Sequence, residues 1–104
     1  MRAVFLASYG SNAMKGLIAG SNRPKAIEDM LATVGGKLIS VMFCRGEFDA
    51  VVTVEVPDRE AVVAGTMAVL ASGSLTRLSV LEELDMAAIL PKAAKAAAAY
   101  KPAG

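Results

Sequence analysis

The chain has 104 residues and a mass of 10.7 kDa, room for one core and one domain. Its 55% apolar and 20% charged residues, with a mean hydropathy of +0.50, exclude a disordered chain. So small a domain leaves much of its surface outside the core, and the surplus of apolar residues predicts that part of that surface closes against another copy.

What is missing narrows the chemistry. There is no histidine, which removes imidazole catalysis, histidine-ligated haem and histidine-containing zinc sites. The lone cysteine, Cys44, cannot form an internal disulfide, so the cytoplasm is the expected compartment. No cofactor and no metal site are expected, since carboxylates are nearly the only ligands left. The apolar run Ala3 to Ala7 is far below the ~20 residues of a membrane span, and no targeting segment or membrane partner is expected. Charge is uneven along the chain: six bases and two acids in residues 1–45, two bases and eight acids in 46–91, three lysines in 92–104. With no Trp, two Tyr and three Phe there is no basic, aromatic-studded face, and no nucleic-acid partner is expected.

In chain order, Arg2–Tyr9 (RAVFLASY) reads as a strand ended by Gly10-Ser11-Asn12. Met14, Leu17 and Ile18 give a brief helical turn closed by Gly20-Ser21-Asn22. Ile27, Met30, Leu31 and Val34 then mark a helix capped by Asn22, with Pro24 in its first turn and Gly35-Gly36 as its stop. Two strand-forming runs, Lys37–Arg45 and Phe48–Val56, flank Gly46-Glu47, which predicts a type II′ hairpin with a two-residue loop. Asp58 caps a helix to about Ser72, on which Val62, Val63, Met67, Val69 and Leu70 form a broad arc expected in the core. The six methionines are expected in the core as well. Ser74–Leu84 reads as a fourth strand. Asp85 starts a short turn or helix to Leu90, and Pro91 separates it from an alanine-rich helix over Lys92–Tyr100.

The order strand, helix, strand, strand, helix, strand predicts an α+β, ferredoxin-like βαββαβ domain over residues 1–85. Its antiparallel sheet runs 4-1-3-2 with the helices on one face, and residues 86–104 form a helical tail. The hairpin Gly46-Glu47-Phe48-Asp49, between Gly35-Gly36-Lys37-Leu38 and Val54-Glu55-Val56-Pro57-Asp58, resembles the GYD domain family over roughly residues 2–85. The resemblance implies a ferredoxin-like protein of the dimeric α/β barrel type, bacterial or archaeal, whose family has no established biochemical role. The tyrosine of the family motif is Phe48 here, so that position supplies no hydroxyl.

A two-residue loop would pair Cys44 with Asp49, Phe43 with Ala50 and so on to Leu38 with Glu55. Ile39, Val41, Phe43, Ala50, Val52, Val54 and Val56 would then face the helices. Leu38, Ser40, Met42 and Cys44 with Asp49, Val51, Thr53 and Glu55 would form a mixed face for a second subunit to cover. Asp49 and Glu55 lie six residues apart, or ~20 Å along a strand, too far to act as a pair. Asp49 is the candidate acid-base or hydrogen-bonding group, against its commoner use as a turn cap. Tyr9 and Arg77 are candidates for orienting a ligand, with Thr53 and Glu55 lining the same face; Glu55 equally suits a rim salt bridge. Cys44 reads as a small buried filler.

The expectation is a homo-oligomer, a dimer in the first place and a trimer as the other arrangement left open, binding a small organic molecule in a pocket between its sheets. The alternatives are a ligand-free structural or regulatory oligomerisation module, or a cofactor-free enzyme acting on a small organic acid or carbonyl compound.

Overall fold

The computed structural model describes residues 1–103. Strand β1 (Arg2–Tyr9) leads into helices α1 (Ser11–Ile18) and α2 (Arg23–Ala32). The hairpin strands β2 (Lys37–Phe43) and β3 (Ala50–Glu55), helix α3 (Arg59–Ala71), strand β4 (Leu75–Glu82) and helix α4 (Met86–Ala99) follow. The sheet order is β2-β3-β1-β4, the expected order read from its other edge, and all three pairings are antiparallel. This is the ferredoxin-like α+β fold.

The helix starts follow their capping residues. The Asn22 side chain accepts a hydrogen bond from the Lys25 N–H at 3.1 Å, with Pro24 in the first turn, and Asp58 accepts from the Ala61 N–H at 2.9 Å. Gly35, at φ +75°, reverses the chain after α2, and the following Gly36 N–H reaches back to the Leu31 carbonyl at 2.8 Å. Gly36 also has to be small. A Cβ there would lie 3.1 Å from Val56 and 3.2 Å from the Glu55 carbonyl.

The core lies between the sheet and α2 and α3, where Leu31, Ala61 and Val62 meet Ala3, Val52, Val54 and Val56. β3 alternates as expected, with Ala50, Val52 and Val54 buried. The outer arc of α3 does not reach the core: Val63, Met67 and Leu70 are about half exposed, because α3 rests on the sheet through Ala61, Val62 and Gly65. Met14, Met42, Met67 and Met86 are likewise exposed, while Met1 and Met30 pack against the core.

The hairpin departs from its expected form. Pairing follows the expected register from Phe43↔Ala50 to Ser40↔Thr53, then shifts at a bulge so that Leu38 meets Val54 and Lys37 meets Glu55. The bulge turns Leu38 onto the core and leaves Ile39 45% exposed, reversing the faces expected for both. β2 is an edge strand, and Phe43, its last residue, is 51% exposed. The connection spans Cys44 to Asp49 rather than two residues, and Gly46 sits at φ +152°, away from the roughly +60° of a type II′ turn. Cys44 is exposed, not buried.

At the other end, Pro91 is accommodated within the single helix α4, where two segments were expected. Every residue of α4 is exposed, and the described chain, α4 included, has principal extents of 57 × 33 × 22 Å.

Candidate functional site

The sheet has one face under the helices and one without cover. On the bare face, cross-strand neighbours form rows: Met42, Val51, Leu6 and Ser79 in one, Ser40, Thr53, Val4 and Leu81 in the next. Thr53 therefore stands in an apolar and hydroxyl row. Below it, Glu55 meets the Arg2 guanidinium at 3.4 Å and the Met1 amino group at 3.2 Å, a rim ion pair.

Asp49 stands at the opposite end of β3 from Glu55, and its groups are engaged with the backbone. Its Oδ2 accepts from the Tyr9 N–H at 2.8 Å, its N–H donates to the Ala7 carbonyl at 2.8 Å, and its carbonyl accepts from the Cys44 N–H at 2.9 Å. The carboxylate thus replaces a strand neighbour where β1 runs past the end of β3. The preceding residues are strapped to the same corner. Ser8 Oγ donates to the Glu47 carbonyl at 3.0 Å, Arg77 pairs with the Glu47 carboxylate, and the Arg77 guanidinium lies 4.7 Å from the centre of the Phe48 ring. Arg77 lies opposite Ser8, and Tyr9 lies past a bulge that follows Ser8. Asp49 and Tyr9 are thereby brought together through the backbone, while Arg77 belongs to the loop strap.

Tyr9 instead lines a cavity of about 240 Å³ on the helix side of the sheet. Its floor is Phe5, Ala7, Val52 and Val54 from the sheet, and its walls are Ala13, Ala26, Ile27 and Met30 with Ala68 and Val69. The space follows from the sequence. Ala7, Ala13, Ala26 and Ala68 stand at positions between layers that larger side chains would fill, and layers about 10 Å apart stay open across four methyl groups. Tyr9, Arg23, Ser72 and Ser74 supply the polar lining. Burial pushes the Tyr9 phenol above its ordinary value; the Arg23 guanidinium pulls it down and the Asp49 carboxylate adds to the rise. Arg23 bonds to Ser21 Oγ at 3.0 Å and makes no ion pair among the described residues. Among the described residues, no group of three or more His, Cys, Asp or Glu is placed to hold a metal ion, and no helix is long and apolar enough to cross a membrane.

Sequence reasoning did not single out Arg23. One signal was available: α2 carries no acid in its first turn but begins Arg23-Pro24-Lys25, and cations there oppose the helix dipole.

The fold and the cavity define a small ferredoxin-like α+β protein with an apolar chamber between its two layers. The GYD domain matches residues 4–90, and the chain belongs to that family. Among solved structures, the crystal structure of At3g17210 from Arabidopsis thaliana is similar, with a TM-score of 0.51 and 15% identity over 80% of this chain and 92% of that one. That likeness concerns the fold. No curated protein matches the chain.

Proposed function

We propose that the protein is a homodimeric module that binds a small organic molecule inside each protomer. The observation that carries the reading is the cavity of about 240 Å³, apolar over most of its lining with a few polar groups, the usual composition of a ligand site. It lies between sheet and helices rather than between two sheets, so binding does not require assembly to create it. Assembly has its own support in the bare sheet face, whose apolar rows end in charges of both signs: Lys37, Glu55 and Arg2 at one end, Glu47 and Arg77 at the other. A surface carrying both signs can face a copy of itself across a twofold axis.

Ala26→Phe tests the ligand reading, because it fills the cavity from α2 without adding charge. The parent is expected to gain thermal stability from members of a fragment set of small apolar compounds, and the variant is expected to stay folded and lose that response. A parent that responds to no fragment would leave the cavity a packing void and favour a ligand-free oligomerisation module.

A further inference from the structure

We infer that the cavity takes a small organic acid, with an apolar body on the Phe5, Ile27 and Met30 side and an acidic oxygen held by Arg23 and Tyr9. This rests on the binding role proposed above and names the class of ligand. The size comes from the volume. A cavity of about 150 Å³ takes benzene, with its six non-hydrogen atoms, so the 240 Å³ here corresponds to roughly ten.

The charge comes from the polar lining. Arg23 is half-buried, lines the cavity and has a serine hydroxyl as its side-chain partner, without a carboxylate among the described residues. A guanidinium beside an apolar chamber and without a counter-ion favours an anion, to which it donates charge-assisted hydrogen bonds. Arg23 is also the first residue of α2, so the positive end of that helix adds to the attraction. Asp49, the carboxylate that acts on the Tyr9 phenol, is turned to the Tyr9 N–H, and no acid lines the cavity among the described residues. Tyr9 adds a phenol, protonated at neutral pH as any tyrosine is, hence a donor toward an acidic oxygen. A cation would meet Arg23 unfavourably. A neutral compound would fill the chamber but leave the guanidinium without an ionic partner.

The probes are phenylacetate and octanoate, each of about ten non-hydrogen atoms, set against their neutral amides of nearly the same shape. Binding is followed by NMR chemical-shift changes on the ¹⁵N-labelled full chain. For the parent, the acids are expected to bind roughly tenfold or more tightly than the amides, with shifts centred on α2 and β1. Arg23→Gln should remove that preference while amide binding stays. Lys25→Gln, two residues away on an exposed side chain paired with Asp29, should leave the preference intact. Acids and amides binding the parent equally, or an acid preference that survives Arg23→Gln, would overturn the ligand class while the binding role stands. Failure of all four compounds to shift any cavity amide would overturn the binding role and the ligand class together.

Discussion

Two polar residues at one corner of the sheet show how far composition and spacing reach at the scale of single side chains. The sequence marks Asp49 as unusual, a carboxylate on a strand otherwise apolar or rim-like, and the structure shows what its oxygen touches: the Tyr9 N–H, left without a strand partner where β1 outruns β3. That contact depends on how far one strand extends past another, which no local pattern encodes. Tyr9 was legible as a candidate, and its side of the sheet follows the alternation of β1, since Phe5, Ala7 and Tyr9 line one cavity; only the pairing with Asp49 drew it to the bare face in the sequence reading. Arg23 escaped notice because a charged residue at a helix start looks solvated until the cavity beside it is seen. Tyr9 carries a testable consequence. Its phenol loses a proton less readily folded than unfolded, so the folded state holds that proton more tightly. The stabilisation is complete below the unfolded value of about 10 and is lost as pH rises through the higher folded value. Urea unfolding of the parent should therefore show stability falling above pH 10, and Tyr9→Phe should flatten that part of the profile. An unchanged slope in Tyr9→Phe would mean that burial of this phenol has no weight in folding.

Among whole elements, those with strong periodicity or capping chemistry were legible, and those shaped by edges were not. α2, α3 and β3 follow from Asn22, Asp58 and the alternation Ala50, Val52, Val54. The bulge near Ile39 was not legible, because β2 pairs with β3 alone and an extra residue on it displaces no second strand partner. Pro91 misled for the opposite reason. Its ring removes one hydrogen bond and crowds the preceding turn, an expected cost of about 3 kcal/mol in a helix interior, yet the alanine-rich flanks keep α4 continuous from Met86 to Ala99. Since α4 is exposed along its whole length, its stability is local. Pro91→Ala should accordingly slow amide exchange throughout Ala87–Ala99 while the denaturation midpoint of the sheet stays where it was. A midpoint that rises with the exchange protection would show α4 to be coupled to the body.

For the whole molecule the decisive feature is the bare sheet face, with Met42 and Leu81 each 57% exposed and Val4, Leu6 and Val51 half-buried between them. A patch of this kind is unusual on a monomer, and the helices that could cover it are committed to the other side. α4 leaves the body after β4 and does not return to it. A second copy placing its own sheet face to face would bury the apolar rows and set the end charges against one another. Val51 lies inside the sheet on this face, between Met42 and Leu6, so it is the position from which to test the contact. The parent is expected to elute with a light-scattering mass about twice 10.7 kDa at micromolar concentration. Val51→Asp would place a carboxylate in the interface with no cation in its own row; an unpaired buried charge costs several kcal/mol, enough to dissociate a dimer of ordinary affinity. In the separated chain the same carboxylate faces water, so the monomer should keep its circular dichroism and its fold. Val51→Ala, which loses area but adds no charge, should leave the dimer largely intact. A parent mass near 10.7 kDa would remove the second copy from the proposal, while a mass three times that value would keep the buried face but replace the twofold axis. Fragment binding in the dissociated Val51→Asp chain then separates the two halves of the proposed function. The chamber is lined by one protomer's own sheet and helices, so ligand affinity should survive the loss of assembly.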